Sequence, residues 1–169
     1  MENEEFRLLF CGSRHYPWPR VVHQALDRFH YRYGNRLVVI EGKARGADIA
    51  AHNWCEKHGL PLGERHLCFP VNWGEARRTR PDWRRAGNER NTEMLKRSPH
   101  QVVGFHNAFE YERGGTSDMM LKSLLCGVPT WLIPGNQLAD RYAPDLARYP
   151  AWRLQQARAE LQKAGLAVA

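Results

Sequence analysis

The 169-residue sequence has no CxxC pair, no HExxH segment and no GK[ST] triplet. Each absence removes a class of chemistry. The four cysteines, Cys11, Cys55, Cys68 and Cys126, stand far apart, so reduced thiols and no structural zinc are expected. The eight histidines form no local metal-binding spacing. Scattered surface or hydrogen-bonded imidazoles are expected, with no metal and no other cofactor. Lys43 is followed by Ala44, which disfavours a Walker A loop and its nucleotide hydrolysis. No apolar run approaches the roughly 20 residues of a membrane-spanning helix. The acidic start, MENEEF, lacks the basic region of a secretory leader. The expectation is a soluble, cytoplasmic protein without a membrane partner.

What is present is a globular composition with a basic surplus. Hydrophobic residues make up 43% and the net charge is +7, a balance that permits a single packed core and attracts anions such as nucleotides or nucleic acid. Much of the surplus falls between Arg77 and Arg97.

Short apolar runs alternate with amphipathic ones. Strands are expected over residues 7–11, 37–40, 62–67, 101–105 and 129–133, and helices over 20–33, 47–58, 88–96, 116–126 and 152–163. The stretch Phe69 to Gly87, rich in Arg, Trp and Pro, shows no clean period and is expected to be a long basic loop. This alternation indicates a Rossmann-like α/β fold: a five-stranded, mostly parallel sheet with helices on both faces. Residues 1–135 form that domain, and residues 136–169 a helical extension packed on it.

Three glycine-marked turns follow strands: Gly12-Ser13-Arg14, Gly42-Lys43-Ala44-Arg45-Gly46-Ala47-Asp48, and Gly114-Gly115-Thr116-Ser117-Asp118. In a parallel sheet all three lie at the carboxyl edge, where ligands bind. Glycine admits a ligand close to the backbone, and the helix N-termini behind these turns offer free N–H groups and a positive dipole end. Hydroxyls from Ser13, Thr116 and Ser117 and guanidinium groups from Arg14 and Arg45 add donors for a phosphate. Asp48 and Asp118 near helix starts cap those helices or accept from a ribose hydroxyl. Arg90 sits where the helix dipole disfavours a cation, which hints at an anionic partner. Trp73 and Trp83 either stack a base or pack at the rim.

The residues quoted, continued by Asn72-Trp73, Ala86-Gly87, Arg90-Asn91 and Glu93-Met94, resemble the SLOG superfamily, which links DprA with the Lonely Guy enzymes. The resemblance runs from about residue 7 to 133 and is strongest to its YspA-type, cpYpsA-related branch. It implies a Rossmann-like pocket for nucleotides or nucleotide-derived ligands. In Lonely Guy enzymes an arginine and a glutamate support hydrolysis of an N-glycosidic bond. Arg90, four residues before Met94, matches the arginine. Met119 stands in the glutamate's place, with Asp118 one residue earlier, so Arg90 and Asp118 are the catalytic pair if the protein is an enzyme.

Three functions follow as expectations. The first is a sensor or binding module for a nucleotide derivative, held by the glycine turns together with Trp73, Arg90 and Asn91. The second is a nucleoside monophosphate phosphoribohydrolase-like activity. The third is single-stranded nucleic-acid binding of the DprA kind. Trp152 and the last helix suggest a homo-oligomer interface.

Overall fold

The computed structural model describes residues 4–169. Five parallel strands form one sheet in the order β3-β2-β1-β4-β5. They are β1 (Phe6–Gly12), β2 (Leu37–Glu41), β3 (His66–Cys68), β4 (Gln101–Phe105) and β5 (Thr130–Ile133). Six α-helices join and cover them: α1 (Pro19–Tyr33), α2 (Ala47–Lys57), α3 (Trp73–Thr79), α4 (Ala86–Leu95), α5 (Gly115–Leu125) and α6 (Ala151–Lys163). The Rossmann-like arrangement expected from the alternating pattern is the one observed. Among the described residues, no helix is long and apolar enough to cross a membrane.

Successive residues of a strand face opposite sides of a sheet, and β1 shows what that does here. Leu8 and Phe10 pack with Val21, Leu26 and Trp54 from α1 and α2. Leu9 and Cys11 pack on the other side with Met94, Met119 and Leu161 from α4, α5 and α6. Both faces are therefore covered, as a parallel sheet requires. The Trp54 indole donates to Asp27 Oδ1 at 2.9 Å, so its polar edge is satisfied while the ring is buried between α1 and α2.

The segment Phe69 to Gly87 is not the long loop its composition suggests. Asn72 caps α3 by accepting from the Glu75 amide at 3.0 Å, a 3-10 turn spans Trp83–Arg85, and α4 begins at Ala86. Arg80 braces the turn with bonds to Asp82 and Glu89 at 2.7–3.2 Å. Strand β3 is also shorter than expected. It starts at His66, because residues 61–65 form a turn whose carbonyl at Pro61 accepts from the amides of Arg65 and His66.

Helix α6 packs on α5 through Ala157 and Leu161. Arg153 adds a polar latch. Its guanidinium donates to the carbonyls of Tyr111 and Gly114 and to Ser117 Oγ, at 2.8–2.9 Å.

Candidate functional site

The chain order reverses between β1, the central strand, and its neighbour β4. There the Ser13 amide donates to the Phe105 carbonyl at 2.8 Å, and the turns leaving both strands diverge above the sheet. A crevice at such a switch point is the usual ligand site of open α/β sheets. Here it holds a cavity of about 350 Å³, walled by Gly12, Ser13, Arg14, Asp48, Arg90 and Thr116, among others. A second hollow of about 590 Å³ continues from it, walled by Lys43, Arg45, Arg77 and Trp83. Arg14, Ala44, Trp73, Arg84 and Arg90 belong to both walls.

Local backbone needs explain the glycines. A Cβ at Gly46 would run into the Ser13 carbonyl, and its φ is +81°, so only glycine lets the β2–α2 turn lie against the β1–α1 turn. A side chain at Gly42 would collide with the Arg90 guanidinium and Asp48. Helices α2 and α5 both begin after a glycine, Gly46 and Gly114, and neither has a side-chain cap. In α2 the Ala47 and Ile49 amides already donate to the carbonyls of Ser13 and Ala44, whereas the first-turn amides of α5 stay open, and the positive dipole ends of both helices lie toward the same edge.

The electrostatics are one-sided. The second hollow has six cationic side chains in its wall (Arg14, Lys43, Arg45, Arg77, Arg84 and Arg90) and no carboxylate. Trp83 holds two of them, with Arg77 and Arg84 at 4.6 and 4.4 Å from its ring centre. Trp73 meets Trp83 edge-to-face and carries Arg14 at 5.5 Å. Arg90 Nη1 donates to the carbonyls of Gly42 and Phe69 at 2.8 and 3.2 Å, while its buried Nε has no partner. A buried unsatisfied donor costs about 1–3 kcal/mol, and a ligand acceptor would relieve that cost. Asp48 is the carboxylate in the first cavity. It accepts from the Gly42 amide at 3.1 Å. Burial pushes its carboxyl up to about 7 against the pull of Arg90, so near neutrality about half of it keeps its proton and it repels an anion less than an ordinary carboxylate would.

The expected site residues divide in two. Gly12, Ser13, Arg14, Asp48, Trp73, Arg90, Asn91, Gly115 and Thr116 wall the first cavity, and Gly42, Lys43 and Arg45 wall the second. Gly46 supports the turns from behind. Gly114, Ser117 and Asp118 lie outside both walls, the first two engaged by α6 and Asp118 by α4 and α5. Gly114 and Ser117 accept from Arg153. Asp118 Oδ2 takes bonds from Asn91 at 3.0 Å and Lys122 at 3.1 Å. Arg90 and Asp118 are not brought together. His15, Arg84, Asn88 and His106 also wall the first cavity, and no sequence argument singled them out. His15 follows the first glycine turn, Arg84 falls in the basic segment, Asn88 lies on α4 and His106 directly follows β4, and these positions are the only signal available for them.

A Rossmann-like α/β protein with a basic double cavity at its switch point is the class that fold and site define. Within it, residues 6–85 match the family model YAcAr, described as the YspA, cpYpsA-related SLOG family. The match includes the first two glycine turns, Trp73 and Trp83; α4 and the Gly114-Gly115 turn lie beyond it. No curated protein and no solved structure matches the chain.

Proposed function

We propose that the protein binds a nucleotide-derived ligand carrying more than one phosphate, and works as a binding or sensing module in the cytoplasm. The observation that carries this reading is the open N-terminus of α5 and the positive end of α2, both beside a wall of guanidinium groups that holds no carboxylate. That combination is what a diphosphate needs, because backbone amides and forked Arg donors both match its oxygens. The joined hollows fall in the size range of small-molecule sites. One phosphate fits between Ser13 and Thr116, the second against Arg14 and Arg90, and Trp73 offers a face for the base.

A thermal-shift panel of mononucleotides, nicotinamide dinucleotides and ADP-ribose tests it. Diphosphate-bridged ligands should raise Tm most, by several degrees at millimolar concentration. Equal and negligible shifts for all of them would refute the proposal.

Hydrolysis of an N-glycosidic bond is the second reading, favoured by one observation: Asp48 lies in the cavity wall with a proton to give near neutral pH. In this reading Asp48 rather than Asp118 is the carboxylate that assists the leaving base. Release of free base from a nucleoside monophosphate, lost in Asp48→Asn, supports it. No turnover in the native protein excludes it.

A further inference from the structure

A second polar cluster lies beneath the β2–α2 turn, outside both cavities. Glu41, the last residue of β2, is fully buried. Its Oε2 faces His52 Nδ1 at 2.7 Å and His66 Nε2 at 2.6 Å. The Cys68 sulfur lies 3.8 Å from Glu41 Oε1 and 3.7 Å from His52 Nδ1. One donor atom from each of the four residues falls within 4.8 Å of all the others.

Both ring nitrogens of His52 face a carboxylate, which makes this cluster more than a hydrogen-bonded patch. Its Nε2 faces Glu56 Oε1 at 3.0 Å, while its Nδ1 faces Glu41. A neutral imidazole has a single N–H. If Nε2 donates to Glu56, the Nδ1 lone pair points at carboxylate lone pairs unless a cation lies between them. A carboxylate that accepts from the outer nitrogen of a metal-bound histidine is the usual second shell of zinc sites. The thiol supplies a further reason. A carboxylate between two imidazoles has no need of a sulfur, whereas a tetrahedral metal needs a fourth ligand.

The dimensions agree. Bonds of about 2.0–2.3 Å give a tetrahedron with edges of about 3.3–3.7 Å, close to the 3.7 Å between the Cys68 sulfur and His52 Nδ1. The nitrogen–oxygen pairs would have to spread by about 0.6 Å, within reach of side-chain rotation. His66 and Cys68 are two apart on β3, so they share one face of the strand, and α2 brings His52 onto that face. His52 and Cys68 also wall a surface hollow of about 430 Å³, through which an ion can enter.

We propose that Glu41, His52, His66 and Cys68 form a structural zinc site, with Glu56 fixing the His52 tautomer from outside. Two imidazoles, a carboxylate and a thiolate are a donor set for zinc rather than for calcium or magnesium. The ion would pin the three-residue β3 to β2 and α2. It would also steady the turn above, since Glu41 Oε1 accepts from the Lys43 amide at 2.5 Å, where Lys43 adopts a φ of +53°.

The test is a cobalt titration of the full chain after dialysis against a chelator, read by visible and near-ultraviolet absorption. One Co²⁺ per chain is expected, with the intense visible bands of tetrahedral coordination and a thiolate charge-transfer band, all displaced by one equivalent of Zn²⁺. Cys68→Ser should lose the charge-transfer band. Glu56→Gln should keep it and weaken affinity about 10- to 100-fold. A native protein that stays folded by circular dichroism yet shows no such bands overturns the proposal. So does an undiminished charge-transfer band in Cys68→Ser, or weak octahedral-type binding that neither substitution changes.

Discussion

Two buried cation–carboxylate clusters sit on opposite sides of α4, built from the same chemistry and used differently. In one, Lys122 is fully buried and reaches Glu160 at 2.7 Å, Asp118 at 3.1 Å and the Asn88 carbonyl at 3.0 Å. Every charge there has its partner, and the cluster welds α4, α5 and α6 together. In the other, Arg90 and Asp48 face a cavity, the Nε of Arg90 is unsatisfied, and further guanidinium groups crowd the rim without a counter-charge. A buried polar network that is complete rigidifies; one left incomplete at a cavity is available to a ligand. The difference lies in the pairing and not in the residue types, which is why Asp118 belongs to the scaffold and Asp48 to the site.

Four substitutions probe that contrast. Lys122→Met should be the most damaging. It strands Asp118 and Glu160, and breaking a buried ion pair costs about 3–5 kcal/mol, which lowers Tm by roughly 10 °C in thermal denaturation. Arg90→Ala should act on binding instead, weakening ADP-ribose affinity by about 2–3 kcal/mol, or roughly 100-fold, in calorimetric titration. A Tm loss as large as that of Lys122→Met would erase the distinction between the two clusters.

Asp48→Asn is subtler and reads out through pH. Burial raises the folded carboxyl from 3.8 to about 7, so between those values the folded chain holds a proton that the unfolded chain has released. Stability from this group therefore falls as pH rises from about 4 to about 7. ADP-ribose affinity should also fall as pH rises past 7 and Asp48 ionises beside the anion. The asparagine variant should flatten both profiles, in Tm and in titration; a native slope retained in the variant would assign the effect elsewhere. Smallest of all is Arg80→Ala. Arg80 is already paired with Asp82 and Glu89 on the surface, so neither Tm nor affinity should change measurably. A clear loss of affinity would mean that the whole basic segment contacts the ligand.

The strand–helix alternation and the three glycine turns were legible in the sequence because they rest on local rules: apolar period, β-branched runs, and glycine where helices begin. The β1 run and the Gln101–Phe105 strand needed nothing more. Helix α3 was hidden because it is seven residues long and its arginines mask any apolar face. Only the Asn72 to Glu75 cap betrays it, and only at short range. The orientation of Asp118 was hidden for another reason. Its partners, Asn91 and Lys122, are set by how α4 and α5 cross, and the third member, Glu160, comes from a helix more than thirty residues on. Glu41, His52, His66 and Cys68 escaped the local spacings that flag metal sites because three separate elements supply them. Arg153, which ties the Gly114 turn to α6, could not be distinguished by sequence from any other basic residue on an amphipathic helix.

The most direct test is to follow backbone amide resonances while ADP-ribose is added to the isotope-labelled protein. The account predicts large, saturable shifts at Gly12, Ser13, Gly115 and Thr116, with little change at Lys122 and Glu160. Shifts centred on the α5–α6 cluster, or none at the glycine turns at saturating ligand, would contradict it.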